Sequence, residues 1–221
     1  MRRTLAVIAL AVAPVAFANP LTDVAGGATA FYAQTKATYS VAGTDRDFTM
    51  NRIALDYSEQ ANNWLYVGIR VGLSFLDASS EPLIDSTSLP GYYFGVFGGV
   101  RFFERGGFSI TGEGRYARDW WHGTVSGDAL SVDEGEGVFQ LGASYRINKE
   151  FNISAGGYSS NSEGHIDRTG TTLPGSADFT DTASTGAYAG IDVVLADGGS
   201  LGFRWEGGAN ETLAFTYSVG F

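Results

Sequence analysis

The 221-residue chain sets 14 Lys and Arg against 24 Asp and Glu, a formal charge of -10, which excludes the basic patch that nucleic-acid binding needs. It has no cysteine, so a disulfide framework and a thiolate metal centre are both excluded. Its 31 glycines, 14% aromatics and only 5 prolines suit many short strands better than helices.

The first element is a short leader. Arg2 and Arg3 precede an apolar run from Leu5 to Phe17 that ends in Ala16, Phe17 and Ala18. A charged start, roughly 7–15 apolar residues and a small-residue exit make a secretory signal peptide, whereas a spanning helix needs about 20 apolar residues. Cleavage is expected after Ala18, leaving residues 19–221 as one domain.

Alternating strands follow. Weaker ones are expected near Thr29 to Val41 and Phe48 to Ser58. In Trp64 to Phe75, Leu65, Val67, Ile69, Val71, Leu73 and Phe75 alternate with Tyr66, Gly68, Arg70, Gly72 and Ser74. A period-two run of about 12 residues is longer than the usual 5–6 of a soluble sheet and matches the 9–11 of a strand crossing a bilayer. The pattern recurs from Tyr92 to Phe102, Phe108 to Ala117 and Phe139 to Ile147. It returns from Phe151, from Ala187 to Leu195, from Leu201 to Trp205, and from Thr212 to Phe221. Ten strands result, with eight as the alternative. Short connections alternate with longer ones, of which 77–90, 123–136 and 160–182 are expected as long loops. The fold class is therefore all-β: a closed antiparallel up-and-down transmembrane barrel whose termini both lie on the periplasmic side.

Aromatics gather at the strand ends, with Trp64, Phe102 and Phe108 at one rim and Trp120 and Trp121 at the other, as expected of two membrane girdles. Charges fall on the opposite face. Arg70, Arg101, Glu113, Arg115, Arg146, Asp192, Arg204 and Glu206, with Lys36, Arg52 and Asp56, are expected to point inward. The lumen is then either a salt-bridge network that plugs a narrow barrel or a charged solute path.

The last strand places Leu213, Phe215, Tyr217, Val219 and Phe221 on one face. It resembles the C-terminal assembly signal of bacterial outer-membrane barrels. With the leader and the alternation, it makes the whole mature chain resemble the small OmpX/Ail-like and porin-like barrels. That resemblance implies periplasmic chaperones, insertion by the barrel assembly machinery, and an outer-membrane location among lipid and lipopolysaccharide.

No chemistry-bearing motif emerges. Gly112, Gly114 and Ala117 form a nominal G-x-G-x-x-A, but the run lies within a strand and opens no helix. The two histidines, His122 and His165, are expected near the outer rim as solvated residues; His165 with Asp167 would be the nearest approach to the Asp-His pair of outer-membrane aspartyl proteases. Acidic residues of the expected loops, among them Asp128, Asp133, Glu134, Glu136 and Asp178, read as solvated and mutually repelling. No catalytic residue, metal ligand or cofactor is expected. The function expected is a non-enzymatic barrel that supports the membrane or presents loops. A small passive channel is the first alternative and a rim-located hydrolase the second.

Overall fold

The computed structural model describes residues 26–78, 81–84, 88–196, 198–208 and 210–220. The expected cleavage site and Phe221 lie outside the described residues. Ten antiparallel strands follow one another: β1 (Gly26–Val41), β2 (Thr44–Asn62), β3 (Leu65–Asp77), β4 (Leu89–Arg105), β5 (Phe108–Val125), β6 (Asp128–Arg146), β7 (Phe151–Thr169), β8 (Gly175–Val194), β9 (Ser200–Gly208) and β10 (Glu211–Gly220). Each strand pairs with its sequence neighbour, and β1 pairs with β10 from Gly27↔Gly220 to Lys36↔Glu211, closing a barrel of ten strands rather than eight. Closure leaves no free sheet edge around the wall, which a strand in hydrocarbon requires.

Two of the three expected long loops are strand. Residues 123–136 belong to a hairpin in which β5 and β6 pair continuously to Val125↔Asp128. Its turn is Ser126 and Gly127, both at positive φ (52° and 90°), as is Ala42–Gly43 (48° and 79°) between β1 and β2. Positive φ at both central residues gives the turn a twist that matches its flanking strands. Residues 160–182 likewise carry β7 to Thr169 and start β8 at Gly175. Of the three, the expected 77–90 loop alone remains a longer connection, spanning residues 78–88 between β3 and β4. At the other end the connections after β2, β4, β6 and β8 are short, as expected.

The strands differ in reach, and this makes the barrel two-tiered. β9 and β10 have 9 and 10 residues, while β5 to β8 have 18 to 20. Above the short β9–β10 hairpin, β8 bonds directly to β1 at Ser40↔Thr180 and Val41↔Phe179. The wall therefore closes a second time, on eight strands, at the long-hairpin end.

The tiers pack in opposite senses. In the lower tier, next to the short turns, large apolar side chains face out: Leu55 (58% exposed), Ile69, Phe94, Phe139, Ile191 and Phe215. The upper tier instead buries its apolar side chains inside. Tyr39, Phe48 and Phe179 meet at ring-centroid separations of 4.9, 5.2 and 5.4 Å. Around them pack Met50, Leu76, Ile84, Leu89, Val132 and Ile166. Trp121, expected in the outer girdle, is part of this core. Its register partner Gly91 and the inward parity of β5 turn it inside, where its indole N–H donates to Ser74 Oγ at 3.0 Å.

Candidate functional site

Beneath the apolar core lies a layer of charge, built by inward positions of seven strands. Arg52 on β2 is buried and faces three carboxylates: Asp119 at 2.7 Å, Glu136 at 3.3 Å and Glu134 at 3.7 Å. Tyr39 donates its hydroxyl to Glu134 at 2.5 Å, tying the charge layer to the core above. Lower down, Arg70 binds both oxygens of Asp56 at 2.5 Å and stacks on Phe31, its guanidinium carbon 4.0 Å from the ring centre. Glu113 accepts from Tyr66 and from Gln140, whose own oxygen accepts from Arg204. Arg204 also faces Glu206 at 2.8 Å and lies over Tyr188 at 3.7 Å. Opposite charges joined this way offset the desolvation that an isolated buried ion would suffer.

The network surrounds a cavity of about 210 Å³. It runs from the layer of Thr35, Arg52 and Glu136 down to Thr29, Ser144, Ser154 and Ser218 near the short-turn end. Gly142 shows how tightly the wall is filled: a Cβ there would collide with the Tyr188 hydroxyl.

The residues expected in the lumen divide. Arg70, Glu113, Arg115, Asp192, Arg204 and Glu206 line this cavity, together with Arg52 and Asp56. Arg101 pairs instead with Glu104 at 2.6 Å, and Arg146 ends β6 at the short-turn rim, exposed. Lys36 points outward, because β1 buries its odd-numbered positions and exposes Lys36 and Thr38. Trp64, Phe102 and Phe108 sit exposed at the short-turn end, and a bulge between Arg101 and Phe103 turns both Phe102 and Phe103 out. Leu213, Phe215 and Tyr217 face outward on β10.

Sequence reasoning finds Asp56, Glu113, Asp192 and Glu206 but misses three carboxylates of the layer around Arg52. Asp119 was not singled out, and Glu134 and Glu136 were expected in a solvated loop. They lie instead on paired strands and point inward. Asp128, also expected in that loop, is buried at the hairpin tip. It accepts from the amides of Thr171 (2.8 Å), Thr172 (3.0 Å) and Leu173 (2.8 Å) and from Arg168 Nε (3.1 Å). Arg168 donates onward to the carbonyls of Leu83 and Val125. One buried ion pair thus joins the β3–β4 loop, the β5–β6 turn and the β7–β8 turn over the apolar core. The Leu173 and Thr172 amides, then Thr171 and the guanidinium, hold the Asp128 carboxyl down at about 2. The signal that could have found the hairpin was Ser126-Gly127 between Val125 and the alternating Leu130 and Val132, a two-residue turn flanked by strand pattern.

The histidines lie outside the wall. His165 Nδ1 meets Asp178, its cross-strand neighbour, at 2.7 Å on the exposed outer face, rather than Asp167. His122 is exposed on β5. Beside them Arg118 pairs with Asp133 at 2.8 Å and lies over Trp120 at 5.7 Å.

Comparison with solved structures identifies the architecture. The chain superposes on the translocator domain of the autotransporter NalP from Neisseria meningitidis with a TM-score of 0.52 and 13% identity, over 90% of each chain. It superposes equally, at 0.52 and 8% identity, on the outer-membrane protease OmpT from Escherichia coli, over 89% of this chain and 95% of that one. Ail, the attachment invasion locus protein of Yersinia pestis, is similar at 0.44 and 11% identity, over 90% of this chain and 98% of that one. No protein-family model matches the sequence, and no curated protein does. At these identities the likeness establishes a fold, that of the bacterial outer-membrane β-barrels.

Proposed function

We propose that this chain is an integral outer-membrane barrel, non-enzymatic and closed to solutes, that holds a rigid hairpin rim outside the cell. In this reading the short turns and both termini are periplasmic, and the long hairpins are extracellular. The apolar belt of the lower tier sits in hydrocarbon, among outer-membrane lipid and lipopolysaccharide. Export follows removal of the leader after Ala18, and the barrel assembly machinery inserts the chain through its last strand after periplasmic chaperoning.

The observation that carries closure is the apolar core, fifteen buried residues among those described, filling the hairpin end. A water-filled path would have to cross it, and opening one would expose aromatic and aliphatic side chains to water at about 25 cal/mol per Å². The Asp128–Arg168 pair holds the hairpin tips over that core, so the rim is an ordered display surface. A channel reading has the lower cavity in its favour, but among the described residues its lining stops at Thr35, Arg52 and Glu136, short of the core. A hydrolase reading places its histidines on an open, solvated sheet face. The test is single-channel recording from the refolded mature protein in planar bilayers, with folding checked by heat-modifiable mobility. The expected result is silence. Discrete, reproducible conductance steps would overturn the closed reading and make Arg52, Arg70 and Arg115 candidate selectivity residues.

A further inference from the structure

The layer around Arg52 holds more negative charge than cation. Asp119, Glu134 and Glu136 all face that one guanidinium, at 2.7, 3.7 and 3.3 Å. The next cation, Arg115, pairs with Glu136 at 3.5 Å, and Arg70 below it is held by both oxygens of Asp56. The other strands bring no further cation among the described residues. β1 contributes the Tyr39 hydroxyl, and β4 the Tyr93 ring 4.8 Å from the Arg52 guanidinium carbon. Ser74 of β3 stands beside Asp119, while β7 sets Gly164 and Ser162 opposite Glu134 and Glu136. β8 adds one more carboxylate, Asp181, buried and bonded to Asn210 at 2.8 Å.

The excess falls on one pair. Asp119 and Glu134 are register partners on β5 and β6, both inward, 1% and 2% exposed. Side chains so placed have Cβ atoms about 4.5–5.5 Å apart. Arg52 takes Asp119 Oδ2, whereas Oδ1 is buried and meets no donor among the described residues. Neither residue is among those that line the lower cavity, so the water there does not solvate them. Two carboxyls that share a dry site do not both ionise at neutral pH, because each charge disfavours the other and burial disfavours both.

We propose that Asp119 and Glu134 carry a single proton between them at neutral pH, and that this proton makes the upper tier a pH-sensitive element. Its loss charges both carboxyls at the base of the apolar core and drives Glu134 away from Tyr39, the residue that ties the layer to that core. The two carboxyls titrate as a unit. The folded pair releases its proton at a higher pH than an unfolded carboxyl, whose ordinary value is near 4. Its stabilisation is therefore complete below about pH 4 and lost as pH rises through the folded value. The proposal concerns the buried layer alone and stands whether or not the lumen conducts.

Infrared spectroscopy of the refolded protein in detergent micelles at about pH 7 reads the proton directly, because a neutral carboxyl has a C=O stretch that a carboxylate lacks. The wild type is expected to show that band. Glu134→Gln and Asp119→Asn should each lose the intensity of one carboxyl, since either substitution leaves two carboxylates against Arg52 and Arg115. The denaturant midpoint of the wild type is expected to fall between about pH 5 and pH 9, and to fall less in both variants, where every other group titrates as before. Tyr39→Phe alters no charge, and is expected to keep the band but shift its frequency even if the other variants fail to fold. The proposal is overturned if the wild type shows no neutral carboxyl, or if a folded Glu134→Gln or Asp119→Asn keeps the full band. It is overturned equally by a midpoint that falls alike in wild type and variants, or by a band that Tyr39→Phe leaves unmoved.

Discussion

Along β2 the outward side chains run Asp47, Thr49, Asn51 and then Ile53, Leu55, Tyr57, while the inward ones run Phe48, Met50 and then Arg52, Asp56, Ser58. β6 makes the same exchange, with Leu130 and Val132 inward above and Phe139 and Leu141 outward below. One continuous strand therefore obeys two burial rules. In the proposed reading the surroundings are apolar below the exchange, where the interior carries the polar groups, and water above it, where the interior is packed like that of a soluble protein. The alternation never stops, but the phase of its apolar residues inverts, and in that reading the level of inversion marks the upper edge of the hydrocarbon on these two strands.

This comparison can be broken by substitutions whose cost depends on the tier. The largest effect is expected for Phe179→Ala in the upper core, which leaves a cavity among Tyr39, Phe48 and their neighbours. Denaturant titration should read a loss of about 3–5 kcal/mol, and much less for Phe215→Ala on the outer face of the lower tier. Next comes Ile69→Arg, on the lipid-facing wall, with an expected cost of about 2–4 kcal/mol. His122→Arg, also outward but above the inversion, should stay within about 0.5 kcal/mol. Equal costs at Ile69 and His122 would place both tiers in the same solvent.

The exchange of phase also explains what the sequence revealed and what it hid. Strands rich in lower-tier positions, such as β3 with Val67, Ile69, Val71 and Leu73 facing out, carry one uninterrupted phase and are read correctly. In β6 and β7 the phase changes partway, so a search for outward apolar residues sees the pattern end and infers a loop. Glu134 and Glu136 fall in that stretch, so the sequence pattern alone places them in a solvated loop. The lumen arginines were legible because they oppose apolar residues on strands already identified. The Asp128–Arg168 lock was not, because its partners lie in turns 40 residues apart and no local spacing joins them.

Smaller effects sharpen the upper tier. The Asp128 carboxyl is held at about 2, below its ordinary value near 4. Its contribution is therefore present above the unfolded value and lost as pH falls through the folded one. Amide exchange at Thr171, Thr172 and Leu173 should speed up between about pH 4 and 2 beyond the intrinsic pH dependence, and Asp128→Asn should remove that excess. The smallest effect is expected for His165→Ala, whose partner Asp178 is 87% exposed; a solvated pair contributes at most about 1 kcal/mol.

The division into a dry upper and a wet lower interior is tested most directly by cysteine accessibility, since the chain has no cysteine of its own. Single cysteines at Met50 and Val132, inside the upper tier, and at Thr111 and Thr216, along the lower cavity, would be exposed to a small water-soluble thiol reagent in the folded protein. The account predicts rapid modification at Thr111 and Thr216 and protection at Met50 and Val132 until unfolding. Comparable rates at all four positions would mean that water runs through the whole lumen, contradicting the closed barrel.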